Sequence, residues 1–200
     1  MIKFTIVTIT YNAADVFMRT ADSVARQTYA AVEHLIIDGA SSDGTQNLAE
    51  EYKKASNAAC NGHEVRIVSE PDKGLYDAMN KGRRLATGDY VCFLNAGDFF
   101  PSADTLAVIA ANARLEECSS KGKPLPGVLY GDTDWVDNNG NYMSRRRLTP
   151  PEKLTWRSFR HGMLVCHQAF YARTDLAQKV PYDLRYRFSA DVDWCIRIMK

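Results

Sequence analysis

The chain has 200 residues, of which 46% are hydrophobic and 10% aromatic, so it carries enough apolar side chains for a sizeable core and is not globally disordered. One domain is the expected organisation for this length. The 25 basic and 24 acidic side chains nearly cancel, which excludes the strong positive field of a typical nucleic-acid-binding domain.

The first half of the sequence alternates between short β-branched runs and segments with helical spacing. Strands are predicted at residues 4–10, 33–38, 65–69 and 90–94, and helices at residues 15–26, 45–58 and 75–86. This alternation predicts an α/β fold with a parallel sheet and helices on both faces, in which ligands bind beyond the carboxyl ends of the strands. The functional site is therefore expected in the loops after Thr10, Asp38, Ser69 and Leu94.

Beyond Leu94 the pattern becomes less regular. A helix is predicted at residues 103–118, short strands at residues 128–130, 135–136 and 142–143, a longer strand at residues 164–171 and a final helix at residues 190–200. The turn-forming residues 137–141 join two of the short strands, which predicts a small antiparallel excursion. The sequence stops inside the final helix without a Gly or Pro stop signal, so we expect that a C-terminal segment is missing.

Neither the N-terminus nor the cysteines indicate export. The apolar residues 1–10 are too few for a membrane span and lack a small-residue cleavage site. The five cysteines are scattered, odd in number and never in C-x-x-C spacing, which argues against a disulfide framework and a zinc knuckle. A reducing, cytoplasmic location is therefore expected.

Two strand ends carry carboxylates. Asp38 directly follows a buried strand, where its carboxylate can accept a hydrogen bond from a uracil-type N–H; alternatively it only begins a turn, or Asp43 caps the next helix. Residues 95–98 form a short acidic turn whose oxygens suit Mg²⁺ or Mn²⁺ shared with a diphosphate; alternatively the turn is an ordinary one. His167 ends an apolar run and is either a hydrogen-bonded core or edge residue or, if it reaches Asp98, a metal or phosphate ligand.

The start of the final helix carries two further carboxylates. Asp191 and Asp193 lie where negative charge favours a helix N-terminus, so capping alone explains either of them. The functional alternative is that Asp191 faces the sheet crevice as a general base. Spacing along the sequence does not choose between these interpretations.

Positive charge is concentrated in the last third of the chain. The arginines concerned are Arg145, Arg146, Arg147, Arg157, Arg160, Arg185 and Arg187. They either bind a diphosphate-lipid acceptor or an anionic membrane surface, or they form a solvated face. No Gly-x-Gly-x-x-Gly or Walker-type loop is present, which counts against dinucleotide cofactors and phosphate-loop ATPases.

In their order along the chain, these motifs resemble the family 2 inverting glycosyltransferases of bacterial polysaccharide assembly. Residues 6–12 look like the family's opening strand and donor-base loop, and residues 36–45 like its second strand and turn, whose first Asp contacts the nucleobase. Residues 69–82 are similar to the colanic-acid-type branch, and residues 88–98 resemble the strand that leads to the metal motif. Residues 166–171 and 190–197 complete the order.

The resemblance implies a GT-A fold with a mostly parallel, Rossmann-like sheet in a single catalytic domain, in which residues 1–98 form the nucleotide-sugar half and residues 99–200 the acceptor half. It implies inverting transfer from a nucleotide-diphosphate sugar, a UDP-sugar, to a saccharide or polyprenyl-diphosphate-linked acceptor. The reaction would take place on the cytoplasmic side, with peripheral contact to the inner face of the membrane through the basic residues 145–160.

The same resemblance assigns roles to individual residues. Asp191 is the expected base, and Asp98 is the expected ligand of Mg²⁺ or Mn²⁺; His167 is a further expected metal ligand if it reaches Asp98. The expected donor-binding residues are Thr10, Tyr11, Asn12, Asp38, Lys73, Asp77 and Asn95. The sequence departs from the family where Asn95 and Gly97 replace the usual Asp-x-Asp and Ala190 replaces the Glu of the base motif.

These departures motivate an alternative, a nucleotide-sugar-binding module without transfer activity. A sugar nucleotidyltransferase is disfavoured because no Gly-rich triphosphate loop bearing Lys or Arg follows the first strand.

Overall fold

Eight strands and seven α-helices follow one another in the computed structural model, which describes all 200 residues. The strands are β1 Phe4–Thr10, β2 Val32–Asp38, β3 His63–Ser69, β4 Tyr90–Phe93, β5 Val128–Tyr130, β6 Asp134–Val136, β7 Tyr142–Arg145 and β8 Phe170–Arg173. The helices are α1 Ala14–Ala25, α2 Thr45–Ala59, α3 Leu75–Leu85, α4 Thr105–Asn112, α5 Leu115–Ser120, α6 Thr174–Lys179 and α7 Ala190–Ile198. Two 3-10 turns occupy Trp156–His161 and His167–Ala169.

Six strands form the main sheet, in the order β3-β2-β1-β4-β8-β5. The strands β1 to β4 are parallel, and β8 runs antiparallel to both of its neighbours, β4 and β5, at one side of the sheet. A separate antiparallel hairpin consists of β6 and β7 around the turn at residues 137–141. The predicted α/β architecture, with a mostly parallel sheet and a small antiparallel excursion, is confirmed.

The strand register places the predicted loops side by side. Thr10 pairs with Asp38, and Asp38 pairs with Ser69, so three strands end at the same level. The chain leaving β4 runs alongside β1, since the backbone N–H of Ala96 donates to the carbonyl of Ile9 at 3.1 Å. All four strand-end loops therefore meet along one edge of the sheet.

Alternate residues of the buried strands pack against helices on opposite faces of the sheet. The face that carries Val7 and Ile9 packs against α3, α6 and α7, where Tyr182 stacks on Trp194 with ring centroids 4.8 Å apart. Helix α3 lies so close to β1 that a Cβ atom at Gly82 would collide with Val7 Cγ1. Glycine at this position permits the close approach of α3 to β1.

The second half departs from the predicted elements. The single helix expected at residues 103–118 is divided into α4 and α5, because Arg114 adopts a left-handed backbone conformation with φ of 50°. The strand expected at residues 164–171 is confined to its end, β8, because β4 ends at Phe93 and offers no partner to residues 164–169. Helix α6 was not predicted.

A buried polar triad links the sheet to α2. His34 Nε2 lies 2.9 Å from Thr8 Oγ1, and His34 Nδ1 lies 2.8 Å from Tyr52 OH. Burial lowers the pKa of His34 to about 3, with a smaller contribution from the charge of His63. His34 therefore stays neutral in the folded chain at pH values where the same side chain is protonated in the unfolded chain, below about pH 6.5.

From this we predict acid destabilisation. The contribution of His34 is fully present above about pH 6.5 and is lost progressively as the pH falls toward the folded pKa, with a slope of at most about 1.4 kcal/mol per pH unit. Urea unfolding between about pH 7.5 and pH 5 should show this slope in the wild type and in a His63→Gln control. The slope should be missing in His34→Gln; an unchanged slope in that variant would contradict the prediction.

Candidate active site

A cleft of about 560 Å³ opens where β1, β2 and β3 end. It is lined by Ile9, Thr10, Tyr11, Gly39, Pro71, Asp72, Gly74 and Leu75. Thr10 Oγ1 is buried without a partner, and the Tyr11 side chain is 66% exposed. A Cβ atom at Gly39 would lie 2.8 Å from Asp72 Oδ2 and 3.1 Å from Tyr11 Cδ2, so glycine keeps this cleft open.

Asn12 ties the loop after β1 to the loop after β2. Its backbone N–H donates to Ser41 Oγ at 2.8 Å, and its side-chain Oδ1 accepts from the backbone N–H of Ser42 at 2.9 Å. Asn12 has a φ of 47°, a left-handed conformation that asparagine tolerates better than most residues. In this geometry Asn12 shapes the wall of the cleft, and its side-chain oxygen is already engaged.

The carboxylate of Asp38 is completely buried and saturated by internal donors. It accepts from the backbone N–H and the hydroxyl of Ser41, from Gln46 Nε2 at 3.0 Å and from Ser69 Oγ at 2.6 Å. A carboxylate offers about four lone-pair positions, so a nucleobase N–H reaching Asp38 has to displace one of these donors. The carboxylate that lines the cleft is Asp72, which the sequence interpretation did not single out.

Two carboxylates at the start of α3 accept hydrogen bonds from backbone N–H groups of the preceding loop. Asp77 Oδ2 accepts from the backbone N–H of Lys73 at 3.0 Å, and Asp72 Oδ1 accepts from that of Gly74 at 2.8 Å. Asp77 thus stabilises the helix N-terminus, as a first-turn carboxylate does. Lys73 is exposed beside the cleft, so its ammonium group is available to an anionic ligand.

A hydrogen-bonded chain joins three motifs that are distant in sequence. His167 Nδ1 lies 3.2 Å from Asp191 Oδ2, and His167 Nε2 lies 3.2 Å from Asn95 Nδ2. A neutral imidazole protonated on Nδ1 satisfies both contacts, since it donates to the carboxylate and accepts from the amide. On the other carboxylate oxygen, Asp191 Oδ1, Tyr76 OH makes a weak contact of 3.4 Å.

Asp191 is half-buried and ionised. Burial raises its pKa, but the hydrogen bond from His167 and nearby backbone N–H groups outweigh burial and hold the pKa of Asp191 below its ordinary value. The side chains of both His167 and Asp191 are 15% exposed, so water has limited access to the pair. The arrangement provides an oriented carboxylate that is able to accept a proton.

Asn95 and Asp98 lie in one tight turn, closed by Asp98 N–H donating to the Asn95 carbonyl at 3.0 Å. Their side chains contact consecutive residues of the turn after Cys166: Asn95 contacts His167, and Asp98 Oδ2 accepts from Gln168 Nε2 at 3.0 Å. Asn95 Oδ1 is buried without a partner. An orphaned amide oxygen in the same turn as a carboxylate suits Mg²⁺ or Mn²⁺ that also binds phosphate, because such ions need only one or two protein ligands.

No group of three or more His, Cys, Asp or Glu side chains is arranged as a metal site. His167, which was expected to bind metal, has both ring nitrogens engaged, by Asn95 and by Asp191. To bind a cation it would have to release one of them. The geometry therefore favours His167 as the partner of Asp191.

A larger cavity of about 790 Å³ lies between the β6–β7 hairpin and the loop that follows β4. Among its lining residues are Asp98, Phe99, Gly131, Trp135 and Gln168.

The basic residues do not act as one patch. Arg146 lines the cavity and donates to the carbonyls of Leu148 and Met163, whereas Arg145, Arg147, Arg157 and Arg160 are exposed. No helix combines the length and apolarity needed to cross a bilayer.

Gln168 and Tyr76, like Asp72, were missed as site residues. Each of them is adjacent in sequence to a predicted site residue: Gln168 to His167, Tyr76 to Asp77 and Asp72 to Lys73. A strand-like pattern offered no signal that consecutive residues 167 and 168 lie in a 3-10 turn and reach Asp191 and Asp98 respectively.

Comparison with known proteins agrees with this geometry. Residues 5–179 match the glycosyl transferase family 2 model. A PGL/p-HBAD biosynthesis glycosyltransferase of Mycobacterium bovis is 37% identical over 97% of this chain and 68% of its own length. The amylovoran biosynthesis glycosyltransferase AmsB of Erwinia amylovora is 29% identical over 100% of this chain and 64% of its own length.

Solved structures share the fold. TarS of S. aureus superposes with a TM-score of 0.75 at 19% identity, over 98% of this chain and 33% of TarS. A mannosyltransferase of Pyrobaculum calidifontis in complex with GDP-Man and Mn²⁺ superposes with a TM-score of 0.61 at 19% identity, over 91% of this chain and 48% of that chain. The present chain thus spans about two thirds of its sequence relatives and a third to a half of these structures. With a family match across most of its residues and a GT-A fold, this chain belongs to glycosyl transferase family 2 and is a glycosyltransferase.

Proposed function

We propose that this chain transfers a sugar, with inversion at the anomeric carbon, from a UDP-sugar to a hydroxyl of a saccharide or lipid-linked acceptor. The observation that carries the proposal is the half-buried, ionised Asp191, held by His167 beside the Asn95–Asp98 turn. Relatives named for glycolipid and exopolysaccharide biosynthesis support a role in bacterial cell-surface polysaccharide or glycolipid assembly. The likeness of residues 69–82 to the colanic-acid-type branch points to exopolysaccharide.

Residues 1–98 form the donor half in this proposal and residues 99–200 the acceptor half. The nucleobase and ribose occupy the cleft at the ends of β1 to β3, beside Thr10, Tyr11 and Asp72. Thr10 Oγ1 is a buried polar atom that a ligand can satisfy, and Asp38 supports the loop or exchanges one of its donors for the base. Structures of TarS with UDP and with UDP-GlcNAc support a uridine donor for this fold.

The diphosphate then lies between the exposed ammonium of Lys73 and the Asn95–Asp98 turn. Asn95 Oδ1 and the carboxylate of Asp98 are the groups that would hold Mg²⁺ or Mn²⁺, with Asp77 fixing the loop that carries Lys73. When bound, the cation supplies Lewis-acid neutralisation of the leaving diphosphate. The GDP-Man and Mn²⁺ complex of the Pyrobaculum enzyme supports a divalent ion in this fold.

Asp191 is the base. The acceptor hydroxyl oxygen attacks the anomeric carbon while the bond from that carbon to the diphosphate oxygen breaks, and the diphosphate leaves with the electron pair. The hydroxyl proton passes to the Asp191 carboxylate, which is ionised before the reaction because its pKa lies below the ordinary value. His167 acts as a positioning residue, since its Nδ1–H fixes one oxygen of the carboxylate.

We also propose that the enzyme works on the cytoplasmic side and contacts the inner face of the membrane through the basic residues 145–160. Four of the arginines in this segment are exposed and free to meet anionic headgroups. Each basic side chain near such a surface contributes about 1 kcal/mol.

A donor panel tests the proposed function. Purified protein is incubated with UDP-sugars and GDP-sugars in the presence of Mn²⁺, and release of the nucleoside diphosphate is measured with and without a pool of saccharide acceptors. Slow hydrolysis of one donor, accelerated by acceptor, is the expected result. Binding without any release would instead identify a module without transfer activity, and exchange of pyrophosphate would identify a nucleotidyltransferase.

Replacement of Asp98 should separate metal-dependent from metal-independent binding. In Asp98→Ala we expect the gain in UDP affinity on addition of Mn²⁺ to fall by roughly tenfold, because one of two protein oxygens is lost. Calorimetry with and without Mn²⁺ measures this gain. Asp22→Ala, which removes an exposed carboxylate from α1, is the control. An equal gain in UDP affinity with Mn²⁺ in wild type and Asp98→Ala would show that Asp98 is not a ligand of the cation.

A further inference from the structure

The cavity beneath the β6–β7 hairpin is lined in part by side chains that have few packing or hydrogen-bond partners within the protein. Trp135 and Tyr142, one from each strand of the hairpin, line the cavity and yet are 60% and 64% exposed. Phe99 and Ile109 contribute apolar surface from the opposite wall. Rings that gain little from burial within the protein remain available to pack on a ligand.

Two polar atoms in the same walls lack partners. Gln168 Oε1 and Thr133 Oγ1 are both buried, and neither forms a hydrogen bond within the protein. Leaving such an oxygen unsatisfied is unfavourable, and the amide oxygen of Gln168 can be satisfied only by a donor. A ligand hydroxyl supplies that donor, so a hydroxyl-bearing ligand with an apolar body matches the lining.

The charges of the cavity exclude an anionic ligand. Two cations line the cavity: Arg19 donates to the carbonyl of Asn138, and Arg146 donates to two further carbonyls. Three carboxylates outside the proposed cation site also line the cavity, namely Asp132, Asp134 and Asp137. Because the carboxylates outnumber the arginines, the lining repels a phosphate group and favours an uncharged ligand.

The cavity adjoins the turn that contacts the proposed base. Gln168 faces the cavity and donates to Asp98, while the preceding residue His167 contacts Asp191. A ligand hydroxyl at Gln168 therefore lies within one short turn of the groups that the transfer reaction uses. At about 790 Å³ the cavity has the size of sites for ligands of moderate size.

We propose that this cavity is the acceptor site and that it takes an uncharged glycoside with an aryl or acyl aglycone. The sugar hydroxyls satisfy Gln168 and Thr133, and the aglycone packs on Trp135, Tyr142 and Phe99. This proposal rests on the proposed glycosyltransferase function for its role, and on the lining residues alone for the ligand class.

Three probes test the ligand class by ligand-observed NMR titration: phenyl β-glucoside, methyl β-glucoside and phenyl phosphate. The phenyl glucoside should bind saturably. The other two should bind at least about tenfold more weakly, because one lacks the apolar group and the other carries charge. Comparable binding of phenyl phosphate, or no saturable binding of the phenyl glucoside up to about 10 mM, would overturn the proposal.

A pair of variants locates the binding. A Cβ atom at Gly131 meets nothing within 4 Å, so Gly131→Phe places a ring in open cavity space. Val108 is 46% exposed and adjoins Ile109 on α4, so Val108→Phe adds the same ring to the outer surface. Binding of the phenyl glucoside should be lost in Gly131→Phe and kept in Val108→Phe. Equal binding by both would place the glycoside elsewhere and contradict the assignment of the cavity.

UDP and GDP binding, measured on the same samples, keeps this proposal separate from the proposed function. Gly131→Phe should bind UDP like the wild type, which also shows that the variant is folded. If the wild type binds neither nucleotide but binds the phenyl glucoside in the cavity, the donor assignment fails and the glycoside site stands. If nucleotides bind and the glycoside does not, the reverse conclusion follows.

Discussion

Asp191→Asn should reduce the rate constant of sugar transfer by about 10²–10⁴-fold, the usual contribution of a general base. The amide has the same shape as the carboxylate and still accepts a hydrogen bond from His167 Nδ1, but it cannot take up the proton of the acceptor hydroxyl. Affinity for UDP should stay essentially unchanged, because Asp191 lies outside the nucleotide cleft. Single-turnover transfer and UDP calorimetry measure the two quantities separately.

Asp193→Asn is the matched control for this prediction. Asp193 lies in the same first turn of α7, and its carboxylate forms an i,i+4 pair with Arg197 at 2.7 Å. Loss of such a pair lowers stability by only about 0.3–0.5 kcal/mol and should leave the transfer rate near that of the wild type. Near-normal turnover by Asp191→Asn would show that Asp191 is not the base. An equal loss in both variants would mean that Asp191 acts through the helix terminus.

Arg66→Met should lower the free energy of unfolding by about 3 kcal/mol at neutral pH. Glu33, on β2, is completely buried and accepts from Arg66 Nη1 at 2.6 Å, from the Thr5 hydroxyl and from the Thr87 backbone N–H. Methionine keeps the apolar stem of the arginine, but it leaves a buried carboxylate without its cation. Urea unfolding at about pH 7 measures the loss.

The pH dependence distinguishes this cause from lost packing. Burial raises the pKa of Glu33, but its hydrogen bonds from Thr5, Thr87 and Arg66 outweigh burial and hold the pKa below the ordinary value. The wild type therefore gains stability from Glu33 above the unfolded pKa of about 4.5 and loses it as the pH falls through the folded pKa. Because Arg66→Met raises the folded pKa, the stability difference between variant and wild type should narrow in acid.

Lys3→Met provides the control for an exposed pair. Lys3 Nζ lies 2.9 Å from Glu64 Oε2, and the Glu64 side chain is 56% exposed. Solvent screens this interaction, so the expected loss is at most about 1 kcal/mol. A similar loss in Lys3→Met and Arg66→Met would show that burial of Glu33 does not set the size of the effect.

The first half of the fold could be predicted closely from the sequence. Residues 4–10, 45–58 and 75–86 were assigned to elements that the structure places within one residue of those bounds. In these elements the spacing of the apolar side chains along the sequence follows from which faces of the strand or helix are buried. That spacing can be read directly from the residue types. The meeting of Thr10, Asp38 and Ser69 at one edge follows from parallel strands of equal length.

The candidate site was predictable in location but not in its contacts. No pattern in the sequence indicates that Asp38 is saturated by Ser41, Gln46 and Ser69, because a carboxylate at a strand end can face inward or outward. The contact of His167 with Asn95 joins residues 72 positions apart, which only tertiary structure determines. Nothing in the sequence indicated that Arg114 adopts a left-handed backbone conformation, which divides the predicted helix into α4 and α5.

The segment 131–169 begins and ends at neighbouring positions on the edge of the main sheet. It follows β5 and precedes β8, which pair directly, and Gly131 N–H closes its base by donating to the Ala169 carbonyl at 3.0 Å. The hairpin within it shares no strand pairing with the main sheet. The length and sequence of this segment can therefore change without a change in the strand register of the main sheet. A replacement has to keep the contact of His167 with Asp191 and restore the apolar anchors supplied by Leu154, Phe159 and Val165.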